Sequence, residues 1–372
     1  MYYTTFINNK KFYTPNFDDI LTTPETPFNY EINKLTLELE PKPFDKLTEK
    51  QTAHILEVSR QLVRCYNILA PFSQTHNAEY EEFFIPKHSG GVRKINAPKP
   101  QFAQALTKVQ NIFRNDIRCL EHTAAYAYVK QRSIKSANEQ HQKNNSKWFL
   151  HLDLDNFFPN CTRELIYNNL IQLYPFYYLT THLKKVLQEI IRICCLNNAL
   201  PQGSPMSPIL SNLVMVPIDY KVQRALTRNN ELKTHFVYTR YADDFTISSK
   251  NSFNFNKVIE LITPLIAPFT IKPQKTHYGS IAGSNWNLGL MLNKDNNITI
   301  GFQKKKTLNA ILNNFLKDYS SNILWSVEDT QVIQGKLSFL KQIEPDYFEY
   351  IVNKYNTKYN TNYRQAIKTI LG

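Results

Sequence analysis

Apolar residues recur at helical spacing from Asp45 to Leu69, with Ile55, Val58, Leu62 and Cys65 on one stripe, which predicts a helix. Tyr80 to Ala97 alternates instead, around Ser89-Gly90-Gly91, and reads as strand, turn and strand. Helical patterning returns from Pro100 to Leu120. Trp148 to Asp153 is a strong strand signal, and Arg163 to Leu196 is mostly helical with a break around Pro175. Pro208 to Leu226 predicts another helix. His235 to Arg240 and Phe245 to Ser249 are strand-forming runs joined at Tyr241-Ala242-Asp243-Asp244, the pattern of a hairpin with two acids in its turn. Ser252 to Pro268 reads as helix, His277 onward as strands, and the chain after Gly301 as helices to its end. Residues 1–45, rich in Asn, Thr, Pro and Tyr, look irregular, and no internal repeat is visible. Strand pairs set among helices without a βαβ repeat predict an α+β fold with an antiparallel sheet.

At 372 residues the chain can hold two or three lobes, and 42% hydrophobic content with 13% aromatics indicates a globular protein. A net charge of +13 favours a polyanionic partner. Five cysteines lack any Cys-x-x-Cys spacing and read as reduced thiols, neither a disulfide frame nor a zinc site. Met1 to Lys11 has no signal-peptide core. The most apolar stretch, Ile259 to Ile271, carries Glu260, Pro264 and Pro268 and is not expected to span a bilayer. A cytoplasmic protein with no membrane partner is expected.

Two adjacent carboxylates in a turn repel each other unless a cation sits between them. Taken alone, Asp243-Asp244 is most simply a solvated pair, and Asp153, at a strand end, could be an ordinary helix N-cap. Together they place acids at two strand ends about ninety residues apart, which neighbouring strands of one sheet can bring together. Two-metal phosphoryl-transfer sites are built this way. Between them, Leu200-Pro201-Gln202-Gly203-Ser204-Pro205-Met206-Ser207-Pro208 is a stiff loop, the kind pressed against a nucleotide or template base.

In this order, Asp153-Leu154-x-x-Phe157-Phe158, Leu200-Pro201-Gln202-Gly203-Ser204-Pro205 and Tyr241-Ala242-Asp243-Asp244 resemble the motifs of a reverse transcriptase. Ile85-Pro86-Lys87, Gly90-Gly91-Val92-Arg93 and Ala97-Pro98 resemble the fingers hairpin of bacterial members. Tyr128 to Ile134, Lys275-Thr276 and Gly335 to Leu340 are similar to later elements, and the resemblance covers roughly residues 50–350. It implies a right-hand polymerase fold: an N-terminal extension (1–45), fingers (46–147), a palm (148–298, with 163–199 returning to the fingers) and a short helical thumb (299–372).

The resemblance also implies roles. Asp153 and Asp243 would be the principal ligands of two Mg²⁺ or Mn²⁺ ions, Asp244 a helper, and the Leu154 carbonyl a further oxygen. Phe158 would be the steric gate against a ribose hydroxyl, while Phe157 reads as a core aromatic. Gln202 would touch the incoming nucleotide or template, and Arg93 and Lys87 its triphosphate. Lys275 reads equally as an acid for the departing pyrophosphate or a phosphate contact, and Tyr241 would pack near the primer end. Lys304-Lys305-Lys306 is either a solvated run or a grip on template–primer backbone.

With no stretch matching a ribonuclease H, integrase or maturase, compact bacterial members are the nearest class: retron-like or defence-associated, abortive-infection-type enzymes. Two departures from the retron pattern stand out: Ser136-Ala137-Asn138-Glu139-Gln140-His141 in place of Asn-Ala-x-x-His, and Asn287-Leu288-Gly289 in place of Val-Thr-Gly. The expected activity is RNA-directed DNA synthesis from dNTPs, copying a dedicated noncoding RNA in anti-phage defence, with an RNA template, a DNA product, and room for an effector protein or an oligomer. Non-templated or protein-primed synthesis, and a catalytically silent RNA-binding protein, are the alternatives.

Overall fold

The computed structural model describes residues 47–86, 90–117, 121–228, 234–282 and 285–372. Of the first 46 it describes only two short backbone pairings, β1 (Phe6–Ile7) with β2 (Lys10–Lys11) and β3 (Tyr30–Ile32) with β4 (Leu39–Pro41). The rest of the expected N-terminal extension lies outside the described residues, as do Lys87 and Cys119.

Helix α1 (Glu49–Leu69) begins at a reciprocal capping box between Thr48 and Gln51 and buries the stripe Ile55, Val58, Leu62 and Cys65. The hairpin β5 (Tyr80–Pro86) and β6 (Val92–Pro98) follows, and α2 (Pro100–Ile112) continues into a wider turn over Phe113–Ile117, so the helix expected to Leu120 changes character earlier. Next come α3 (Ile134–Lys143), β7 (Trp148–Asp153), the short α4 (Phe157–Asn160), α5 (Arg163–Leu170) and α6 (Thr181–Cys194). Helix α7 (Ser207–Arg228) is buried on nearly every side from Ser207 to Asp219, which makes it the central rod of the main core. After β8 (Phe236–Tyr241) and β9 (Asp244–Ser249), α8 (Phe255–Ile262) is shorter than expected, because Pro264 sits in a tighter turn over Thr263–Leu265. Strands β10 (His277–Ser280), β11 (Met291–Leu292) and β12 (Ile298–Thr299) lead to α9 (Phe302–Ser320), α10 (Val327–Ile343), α11 (Pro345–Tyr359) and α12 (Tyr363–Leu371).

Four strands form one antiparallel sheet in the order β10-β7-β9-β8. Its two faces differ because strand side chains alternate. Leu150 and Leu152 of β7, with Phe245 and Ile247 of β9, join the main core around α7. Phe149 points the other way, into a second core shared by the β11–β12 hairpin and the four C-terminal helices. The sheet is thus wedged between two apolar bodies, and the face bearing Phe149 also bears His151 and Asp153. The four described cysteines, Cys65, Cys161, Cys194 and Cys195, are buried and unpaired.

Candidate active site

Register places the acids. In the β7–β9 ladder Asp153 stands directly opposite Asp244, and in the β8–β9 ladder Tyr241 stands opposite the same residue. Asp153 ends β7 and does not cap a helix: the residue preceding α4 is Asn156, in the left-handed conformation with φ +46°. The β8–β9 turn is two residues, Ala242 and Asp243, and only Ala242 has a positive φ (+57°). A two-residue hairpin of that kind usually takes glycine at the first position, so something else holds Ala242 there. Asp243 is tied across the sheet, since the Leu154 N–H donates to its carbonyl at 3.1 Å. Ninety residues of intervening chain therefore vanish in space, and three carboxylates share one end of the sheet.

The electrostatics show what crowding does. Partial desolvation, then the charges of Asp243 and Asp153, push the Asp244 carboxyl up to about 7, although its side chain reaches solvent. Partial desolvation also raises Asp243, with Asp153 adding to the effect and Lys275 and Arg93 opposing it. Asp153 is 5% exposed. Lys275 Nζ lies 2.5 Å from its Oδ2, while Oδ1 is buried without a hydrogen-bond partner, the nearest cation being Lys272 Nζ at 3.9 Å. Lys272 itself pairs with Asp155 at 2.9 Å. Among the described residues no three Asp, Glu, His or Cys side chains are already closed on one point. The oxygen donors and the orphaned Oδ1 nevertheless match the needs of a hard divalent cation.

The stiff loop is anchored to its protein neighbours. Its backbone is pressed against protein: the Asn96 N–H of β6 donates to the Gln202 carbonyl at 2.7 Å, and Gln110 of α2 donates to the Pro205 carbonyl. Gly203 has φ +123°, and a Cβ there would stand 2.7 Å from the Asn96 carbonyl oxygen. The glycine serves a close approach of two backbones, which leaves the half-exposed Gln202 side chain held beside the strand that carries Arg93.

The other expected residues sort by place. Phe157 is 4% exposed and packs on Phe269, while Phe158 is half-buried beside it. Leu154 is buried, Tyr241 half-buried and Arg93 exposed. The lysine run occupies the first turn of α9. Lys304 donates to the Gly289 carbonyl at 2.8 Å and lies over the Trp286 ring at 5.0 Å, Lys305 pairs with Glu344, and Lys306 is exposed. Two of these three lysines are therefore fastened within the protein.

Sequence reasoning passed over Lys272, Asp219 and Arg240. Arg240 and Asp219 form an ion pair at 2.8 Å with both side chains 0% exposed. Burial disfavours the charge on Arg240, and the Asp219 carboxylate outweighs it, so the guanidinium is held more firmly charged than usual. The available signal was alternation: a charged residue at a core-facing position of β8, and an acid ending the apolar run Val214-Met215-Val216-Pro217-Ile218.

The family described as reverse transcriptase (RNA-dependent DNA polymerase) matches residues 85–292, more than half of the chain, and the chain belongs to that family. It is an RNA-directed DNA polymerase with an α+β polymerase fold. It is similar to the retron Ec73 reverse transcriptase of Escherichia coli, 29% identical over 77% of this chain and 87% of the relative. The retron Ec83 reverse transcriptase of Escherichia coli is 27% identical over 74% and 86% respectively. Among solved structures, telomerase from Candida albicans in complex with a TWJ fragment of telomeric RNA aligns at TM-score 0.41 and 14% identity, covering 78% of this chain and 63% of that one. Among the described residues no helix is long and apolar enough to cross a membrane.

Proposed function

We propose that the acids at the end of the β7–β9 pair are the polymerase centre, and that the chain copies a dedicated structured RNA into DNA as part of bacterial anti-phage defence, in the cytoplasm. The observation that carries the site assignment is the register: Asp153 opposite Asp244, with Asp243 in the adjoining turn tied to Leu154. Asp153 and Asp243 would hold two Mg²⁺ or Mn²⁺ ions, assisted by Asp244 and the Leu154 carbonyl. Bound metal supplies charge that acidifies the attacking hydroxyl and offsets the negative charge of the departing pyrophosphate.

The chain's own residues do the rest. Lys275 neutralises Asp153 and stands ready to meet a phosphate. Arg93, and Lys87 on the part of the hairpin outside the described residues, would clamp the triphosphate, for which a guanidinium fork is suited. Phe158 would close the space under C2′ of the sugar, Gln202 would face the nucleotide or template, and Tyr241 the primer end. In this reading residues 46–147 with 163–199 are fingers, 148–298 palm and 299–372 thumb. Lys306, with its neighbours anchored inward, would touch the duplex backbone. The net charge of +13 and the similarity to retron reverse transcriptases support an RNA partner.

Purified protein supplied with RNA template, DNA primer, dNTPs and Mg²⁺ should incorporate label, and Asp243→Ala should lower incorporation at least about a thousandfold. Undiminished incorporation by that variant refutes the site. Sequencing nucleic acid that co-purifies from cells tests the RNA: a single RNA species with its complementary DNA supports the reading, and random DNA excludes templated copying.

A further inference from the structure

Arg240 lies on the opposite face of β8 from Tyr241, turned toward α7, and neither it nor Asp219 reaches solvent. It cannot meet substrate. We propose that Arg240, clamped by Asp219, is a positioning residue that sets the Asp243 carboxylate by gripping the turn from beneath.

The guanidinium divides its donors between two jobs. Nε donates to Asp219 at 2.9 and 3.1 Å and Nη2 at 2.8 Å, which fixes the plane of the fork. Nη1 reaches past the ion pair, donating to Asn212 Oδ1 at 3.1 Å and to the Ala242 carbonyl at 3.0 Å. Asp219 is held in turn by the Tyr238 hydroxyl at 2.7 Å, and Asn212 by donating to the Ala127 carbonyl at 2.7 Å. The backbone of Arg240 is pinned as well, its N–H donating to Ala124 at 2.6 Å and its carbonyl accepting from Tyr126 at 2.8 Å.

The object of this grip is a turn that does not hold itself. Ala242 carries a positive φ that glycine, not alanine, adopts freely. Its carbonyl is fixed from below by Arg240, and the next carbonyl, that of Asp243, is fixed from the side by Leu154. Successive peptide planes on either side of the Asp243 Cα are thereby set, and with them the direction of its side chain. A buried ion pair is poor value as a source of stability alone, since apolar residues of similar volume do as well. A donor that spans α7 and the turn has no apolar substitute.

The inference rests on Asp243 acting as a metal ligand, and its test is separable from that reading. Two variants are compared with wild type: Arg240→Met combined with Asp219→Leu, and Arg240→Lys, which keeps the charge but loses the fork. Turnover is normalised to the folded fraction at the assay temperature, and Mn²⁺ affinity is measured by titration calorimetry without nucleotide. The expected result is a fall in kcat of about a hundredfold, the effect of roughly an ångström of misplacement, with KM for dNTP near wild type and Mn²⁺ affinity weakened. Tyr238→Phe, which leaves the link to Ala242 in place, should keep wild-type kcat. Wild-type turnover per folded molecule in either Arg240 variant overturns the proposal. So does loss of folding in both, which assigns Arg240 to stability, or an equal loss in Tyr238→Phe. If Asp243→Ala is itself active, the site assignment fails first.

Discussion

Gly203→Ala puts the architecture of the rigid loop to a quantitative test. Alanine at φ +123° carries backbone strain of about 1–3 kcal/mol. Its Cβ would also meet the Asn96 carbonyl oxygen at 2.7 Å and Ile95 Cγ2 at 3.0 Å. Atoms of the β6 backbone cannot swing aside as a side chain can, so the loop must retreat. Retreat breaks the 2.7 Å bond from Asn96 N–H to the Gln202 carbonyl, worth about 1 kcal/mol. The sum is about 2–4 kcal/mol, carried by the segment that presents Gln202. If half of it appears as lost nucleotide positioning, KM for dNTP rises about tenfold. Single-nucleotide incorporation over a dNTP series measures this, alongside a thermal melt. Gly335→Ala is the control, because that glycine of α10 has no positive φ and nothing within 4 Å of the added carbon; it should leave KM unchanged. Wild-type KM and melting temperature in Gly203→Ala would refute the close-approach argument.

Three further outcomes are expected. Phe158→Ala should admit ribonucleotides, read as a drop in the dNTP/rNTP ratio of kcat/KM, and unchanged selectivity would remove Phe158 from the gate. Burial, with a smaller contribution from His151, pushes buried His141 down to about 3, so the folded protein keeps it neutral while the unfolded chain takes up a proton below about 6.5. Its contribution is therefore complete above pH 6.5 and is lost on acidification, by about 2 kcal/mol at pH 5; denaturant midpoints at pH 7.5 and 5 should differ more for wild type than for His141→Gln. Lys305→Gln should destabilise the C-terminal helices by about 1–2 kcal/mol, since Glu344 also accepts from Thr299 and Ile300. Lys306→Gln should instead leave the melt unchanged and flatten the salt dependence of template–primer binding by about one counterion.

Local pattern made much of the chain legible. The stripe Ile55, Val58, Leu62 and Cys65 marks α1 because a helix buries one face, and the apolar run Trp148-Phe149-Leu150 marks β7, a strand covered on both faces. Pro264 shortened α8, and a wider turn took over at Phe113, where packing and proline geometry outweigh periodicity. The acids were legible as types at strand ends. That Asp153 stands opposite Asp244 was not, because register between strands far apart in sequence is fixed by the whole sheet.

The residues around the acids divide the same way. The polar stretch ending in His141 and the tripeptide Asn287-Leu288-Gly289 read as unrelated motifs in sequence. In space His141 bonds Ser248 at 2.6 Å and Thr239 at 2.8 Å, Thr246 donates to Asn287 at 2.8 Å, and Asn138 reaches the Asn287 carbonyl at 3.3 Å. They form one buried polar layer over the sheet face that carries Asp153. By itself the sequence determined which elements form, the chemistry of the acids and the family, because these follow from residue type and local order. Only the tertiary structure decided that Gly203 answers to Asn96, that Lys305 answers to Glu344, and that Arg240 reaches the turn from below. Burial and hydrogen-bond satisfaction are properties of the packed chain, and a partner fifteen or a hundred residues away leaves no mark on local pattern.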